Sequence, residues 1–169
     1  ARSVVRYESA VKQLVQRLKY GADTTVVEGI RDILQGYDLT IFADCRWIIP
    51  VPLHVVRHRR RGLNQATILA GLFFPSKKQL IKTDRLVRVR NTVPQTTLGG
   101  IERRRNVLGA FEVCGASDVK NATICLVDDV FTTGTTVGEC ARVLIRSGAE
   151  SVKVLTLARV AVRQRGRQR

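Results

Sequence analysis

The sequence predicts an α/β fold in which helices flank a parallel sheet. Residues 123–127 form a short, unbroken apolar run, the pattern of a strand buried on both faces. A polar stretch follows, and then Val137, Ala141, Leu144 and Ile145 recur at helical spacing before Gly148 stops them. Residues 151–158 read as the next strand. Strand, helix and strand thus succeed one another through short connections, which favours parallel pairing.

The remaining elements follow in order. Tyr7, Ala10, Val11, Leu14, Val15 and Leu18 share one helical face, with Lys12, Gln13, Gln16 and Arg17 opposite, and Gly21 fits just past the end. Asp23 or Thr24 caps a second helix carrying Val27, Ile30 and Leu34, which ends near Gly36. Residues 47–51 make a short strand that Pro50 and Pro52 lead into a loop. A basic stretch with Arg57, Arg59, Arg60 and Arg61 comes next and breaks at Gly62. Leu63, Ala66, Ala70 and Phe73 give a third helix, ended by Pro75. Residues 80–89 alternate in part and hold a strand, whereas residues 91–100, with Pro94 and a Gly pair, read as a loop. Residues 111–113 form a short strand, and residues 115–121 are polar and turn-rich.

A chain of 169 residues is long enough for one domain with one sizeable core, and no internal repeat or linker divides it. Residues 1–160 are expected to form that domain, with residues 161–169 as a basic tail. Apolar residues at 44% and charged residues at 25% describe globular chemistry. No apolar run spans a bilayer. Tyr7, Glu8 and Lys12 interrupt the early apolar residues, so no secretory-signal pattern is present and a soluble cytoplasmic protein without membrane insertion is expected. Cys45, Cys114, Cys125 and Cys140 form no CxxC pair, and with only His54 and His58 beside them a structural zinc site has little support. Twenty-nine basic against fourteen acidic residues give a net charge of +15, which attracts polyanions, whether phosphorylated metabolites or nucleic acid.

The chemistry concentrates in residues 128–136, read as a polar loop at the carboxyl end of a parallel strand, where ligands of such sheets bind. Asp128 and Asp129 leave the strand together. Carboxylates accept hydrogen bonds from sugar hydroxyls and counter the charge of a hard cation such as magnesium, directly or through its water shell. Thr132, Thr133, Gly134, Thr135 and Thr136 follow. They offer hydroxyls and backbone N–H groups to a phosphate; Gly134 permits close approach, and the next helix adds its positive end. One end of the loop suits a diol and the other a phosphate. There is no GxxxxGK[ST] and no GxGxxG after a strand, so neither a triphosphate P-loop nor a dinucleotide fold is supported.

This stretch resembles the 5-phosphoribosyl-1-pyrophosphate (PRPP) signature of type I phosphoribosyltransferases. The resemblance extends to the ComF-type competence-protein branch through Leu18-Lys19-Tyr20-Gly21, Val51-Pro52-Leu53-His54 and Arg61-Gly62-Leu63-Asn64-Gln65-Ala66. Arg90, Thr92, Pro94-Gln95 and residues 105–111 continue it in order along nearly the whole chain. It implies the parallel-sheet phosphoribosyltransferase fold with a small hood, to which residues 1–36 contribute. It implies that Asp128 and Asp129, the catalytic pair, contact the ribose hydroxyls, and that residues 132–136 hold the 5-phosphate. Leu53, His54 and Arg61 would bind pyrophosphate, and a segment around residues 85–95 would cover the site. Mg2+ would arrive with PRPP, with Asp128 and Asp129 near it and no metal site built by protein alone. The branch often carries an N-terminal cysteine-rich zinc module, which these residues lack. Homodimers are common among such enzymes, and the residues leave the oligomeric state open.

Two functions fit. One is magnesium-dependent phosphoribosyl transfer, in which Asp128 and Asp129 also stabilise the positive charge that develops on the sugar. The other is a non-catalytic PRPP- or nucleotide-sensing module whose arginines engage single-stranded DNA or a protein of the competence machinery. No local motif identifies the acceptor.

Overall fold

The computed structural model describes residues 1–21, 24–92 and 100–161. Asp23, Pro94 and Gln95 of the segment expected to cover the site, and the tail from Arg163 to Arg169 lie outside the described residues, as do the side chains of Arg57, Arg60, Arg103 and Arg104.

The described strands are β1 (Arg2–Arg6), β2 (Trp47–Pro50), β3 (Leu86–Arg88), β4 (Phe111–Val113), β5 (Thr123–Phe131) and β6 (Ser151–Arg159). The helices are α1 (Ser9–Leu18), α2 (Thr24–Leu34), α3 (Val55–Arg61), α4 (Gln65–Phe73), α5 (Gly100–Val107), α6 (Ala116–Val119) and α7 (Thr135–Arg146). Strands β1, β6, β5 and β2 lie side by side in that order, every neighbour parallel. Strands β3 and β4 pair antiparallel in a separate two-stranded sheet.

The period-two alternation of a strand sorts the core into two layers. Ile48, Cys125, Val127, Leu155 and Leu157 join one apolar cluster with Val15, Leu18, Ile30 and Leu69 of α1, α2 and α4. Ile49, Ile124, Leu126 and Val154 point the other way, toward Val137, Cys140 and Leu144 of α7 and Leu86 and Phe111 of the small sheet. Helices therefore cover both sheet faces. This explains why residues 123–127 are apolar without a break: each face of β5 meets a helix layer. No helix among the described residues is long and apolar enough to cross a membrane.

Several local readings change. The diacid does not begin a loop: β5 continues through Asp128 and Asp129 to Phe131, because β6 keeps pairing with it at Asp128–Thr156, Val130–Ala158 and Phe131–Arg159. The basic stretch after β2 is helical. It gains α-helical hydrogen bonds from His58 N–H to His54 C=O (2.9 Å) and from Gly62 N–H to His58 C=O (2.8 Å), and Gly62 ends it at φ +74°. Of the strand expected over residues 80–89, only β3 pairs with a neighbouring strand; Ile81 makes a single bridge to Ile48. The turn-rich stretch from residue 115 holds the short α6. Tyr7 precedes α1 rather than lying on its face, since β1 occupies the chain up to Arg6. Strand β1 itself was not legible. It is an edge strand of five residues between two arginines, placed by its register with β6 and by a 2.7 Å hydrogen bond between the Ser3 and Thr156 hydroxyls.

Candidate functional site

The carboxyl ends of the parallel strands open into a cavity of about 920 Å³. Three parts of the chain line it. The end of β5 and the start of α7 supply Asp128, Asp129, Phe131, Thr132, Gly134, Thr135 and Thr136. The chain after β2 supplies Leu53, Arg61, Asn64 and Gln65, while Arg88 comes from β3. The N-terminal region supplies Tyr7 and then the far end of α1, with Gln16, Arg17, Lys19 and Tyr20. The end of α1 and the residues just beyond it thus form one wall of the cavity.

The two carboxylates face different surroundings. The side chain of Asp128 is felt electrostatically by Cys140 on α7, and that of Asp129 by Tyr7. Asp128 Oδ1 accepts the Asp129 N–H at 2.9 Å, and Asp129 Oδ1 accepts the Val130 N–H at 2.7 Å, so the backbone fixes both groups at the cavity floor. Burial and then the neighbouring Asp129 carboxylate push the Asp128 pKa well above the ordinary carboxylate range; Arg88 pulls it the other way. Burial first, then Asp129, raises the Tyr7 phenol. Both carboxylates are hard oxygen donors and so fit a magnesium ion carried by phosphates. Among the described residues, no group of three or more His, Cys, Asp or Glu side chains could hold a metal ion.

The hydroxyl-rich turn has its own architecture. Gly134 is the N-cap of α7 at φ +74°, a conformation that costs glycine little. This glycine opens the twelve-residue α7, and the N-terminus of such a helix suits an anion. The Thr133 and Thr135 hydroxyls bond to each other at 2.6 Å and brace the turn.

Among the predicted residues, Asp128, Asp129, Thr132, Gly134, Thr135, Thr136, Leu53 and Arg61 meet in this one cavity. Thr133 is exposed and touches the site only through its hydroxyl contact with Thr135. His54 takes a capping position instead: its Nδ1 accepts the Val56 N–H at 3.3 Å at the start of α3. Asn64 is also structural. Its Oδ1 caps α4 by accepting the Ala66 N–H, and its Nδ2 donates to the Val51 carbonyl, both at 3.1 Å, which ties α4 to the end of β2.

Tyr7, Gln16, Arg17, Lys19, Phe131 and Arg88 also line the cavity, though the sequence assigns none of them its own ligand contact: Arg88 falls in the covering segment, Phe131 in the 128–136 stretch and the others in the N-terminal region. Gln65, the last part of the Arg-Gly-Leu-Asn-Gln block, is 4% exposed, and its Oε1 has no hydrogen-bond partner among the described residues.

The model of the family described as "Phosphoribosyl transferase domain" matches residues 48–168. The chain is 32% identical over 167 residues to "Competence protein F" of Haemophilus influenzae, a match that covers 90% of this chain and 69% of that one. It is 32% identical over 162 residues to "DNA utilization protein YhgH" of Escherichia coli O157:H7, covering 93% and 70%. Among solved structures it is similar to the phosphoribosylpyrophosphate synthetase from Mycobacterium smegmatis at 18% identity and a TM-score of 0.43, over 75% of this chain and 33% of that one.

Proposed function

Because the chain belongs to the phosphoribosyl transferase domain family, we propose that it binds PRPP with magnesium and transfers the phosphoribosyl group to an acceptor, with release of pyrophosphate. The observation that carries this reading is the meeting of Asp128 and Asp129 with the Gly134-capped threonine turn in one cavity. The carboxylates suit the ribose hydroxyls and the turn suits the 5-phosphate. In this reading Leu53 and Arg61, on the chain after β2 and in the same cavity, take the pyrophosphate. Residues 1–160 act as one phosphoribosyltransferase-like unit in this reading.

Magnesium bound to the substrate phosphates would supply charge neutralisation for the departing pyrophosphate. The chain does the rest. Asp129 and Asp128 hold the sugar, and the negative charge of the diacid as a pair favours the cationic ring that develops at C1. The acceptor's lone pair forms the bond to C1 as the C1–O bond breaks, and that electron pair leaves with pyrophosphate toward Arg61. Calorimetric titration with Mg·PRPP tests the reading: uptake by the wild-type chain, lost when Asp128 and Asp129 are both asparagine, supports it. No uptake by folded wild-type protein overturns it.

A second reading has its own support. The relatives are named for competence and DNA utilization, and the net charge of +15 favours polyanions. Here the PRPP site senses rather than catalyses, and basic surface engages single-stranded DNA or a protein of the uptake machinery. Pyrophosphate release with a panel of amines and bases supports the enzyme. Its absence, together with single-stranded DNA binding that falls steeply with salt, supports the module.

A further inference from the structure

We propose that the furrow between α2 and α4 is a docking surface for an acidic amphipathic helix of a partner protein. The furrow shares no lining residue with the PRPP cavity, and the proposal does not depend on the PRPP reading.

The furrow follows from the spacing of side chains on two helices. Arg31, Leu34 and Gln35 fall at i, i+3 and i+4 on α2 and just past its end. Ile68, Gly71 and Leu72 repeat that spacing on α4, so each helix turns one face to the same space. Pro75 and Lys78, from the short turns after α4 (Pro75–Leu80), complete the lining. The space amounts to about 570 Å³. Its apolar side chains, Leu34, Ile68 and Leu72, are half-buried and pack on the core cluster beneath.

Gly71 is an independent observation. It lies inside a helix, where glycine is less favourable than alanine. Its backbone does not need glycine, because its φ is outside the left-handed region. Packing within the chain does not need it either: a β-carbon there would meet no atom within 4 Å. What the missing side chain provides is a low wall over which another backbone can pass closely.

The charges name the occupant. Arg31 and Lys78 are exposed cations, and no carboxylate lines the furrow. Among the described residues neither cation has an ion-pair partner. Asp32, beside Arg31 in sequence, accepts from the Gln35 amide at 3.4 Å. An apolar floor with a cation on each of two walls complements a helix whose apolar stripe is edged by Asp and Glu. A second copy of this chain is the wrong partner, since each copy carries +15. Single-stranded nucleic acid would match the cations, but the lining holds no aromatic ring on which a base could stack.

Selection from a random peptide library displayed on phage tests the proposal, with anisotropy of the labelled peptides as the readout. The wild-type chain is expected to enrich peptides with apolar residues at i, i+3, i+4 and i+7 and with Asp or Glu beside them. Gly71→Leu fills the furrow from its own wall. It should bind those peptides at least tenfold more weakly, at a Tm no lower than that of wild type. Arg31→Glu combined with Lys78→Glu should weaken them at least tenfold as well, and this pair carries the test if Gly71→Leu fails to fold. No enriched peptide, enriched peptides without acidic residues, or undiminished binding by the folded variants overturns the proposal. Displacement of the peptide by a single-stranded oligothymidylate at physiological salt assigns the furrow to nucleic acid and also overturns it.

Discussion

The ring of Phe131 stands where a β-carbon on residue 134 would have to sit: its Cζ is 2.6 Å from that position at Gly134. The glycine is thus required twice, by its backbone at φ +74° and by the ring packed against it. Arg159 lies over the same ring, its guanidinium carbon 4.5 Å from the centroid, so strand β6 presses Phe131 toward the turn.

Gly134→Ala is expected to lower stability by about 1–3 kcal/mol, the sum of left-handed backbone strain and a displaced ring. It should weaken Mg·PRPP binding more than tenfold by opening the anion cradle. Phe131→Ala added to Gly134→Ala should recover part of the stability, because it removes the clash and leaves the strain. Thermal unfolding and calorimetry of the two variants check both statements.

Asp128 and Glu139 should bend the pH profile of stability in opposite directions. The folded state keeps a proton on Asp128 where the unfolded chain has already released it. Stability from this group is therefore fully present below the ordinary carboxylate value, about 4, and is lost as pH rises through the raised folded value. Glu139, whose pKa is lowered chiefly by its hydrogen bonds with Arg142, behaves in reverse: its contribution is present above the ordinary value and is lost as pH falls through the depressed one. Denaturant titrations across pH should show Asp128→Asn removing the loss on the alkaline side and Glu139→Gln removing the loss on the acid side. An Asp128→Asn profile that matches wild type at every pH would show that the diacid is not proton-linked to folding.

Glu139 also closes a tertiary link, since its Oε1 accepts the Gly109 N–H at 2.8 Å and so joins α7 to the turn between α5 and β4. Glu139→Ala removes an acceptor that is 7% exposed and should cost about 1–3 kcal/mol. Exchange of the Gly109 amide hydrogen should accelerate in the same variant, which locates the loss at this contact.

Among the described residues, the buried carbonyl oxygen of Gln65 has no hydrogen-bond partner. Leaving such a group unmet costs about 1–3 kcal/mol. Gln65→Leu should therefore raise the stability of the empty protein and lower its affinity for Mg·PRPP, with the cavity occupant completing the hydrogen bonding that the fold omits. A variant that is less stable, or that binds with unchanged affinity, would remove Gln65 from the site.

How much of this was legible follows from where the information lies. The strand–helix–strand unit that ends in β6 was readable because burial on both faces leaves an apolar run, and a one-sided helix leaves a 3.6-residue period. The diacid and the threonine turn were readable because all their chemistry is contiguous: nine residues carry two carboxylates, four threonine hydroxyls and one glycine. Their type and order are visible before any folding is considered.

The tertiary structure alone decided three things. It carried β5 on through Asp128 and Asp129, because pairing with β6, and not polarity, sets where a strand ends. It gave His54 a helix to cap, and it brought Tyr7, Lys19 and Tyr20 to a site more than a hundred residues away in sequence. Such contacts depend on the register of an edge strand and the path of one helix over the sheet. They arise between distant segments, so no local pattern of residue types encodes them, whereas a turn made of neighbours is written out in the sequence.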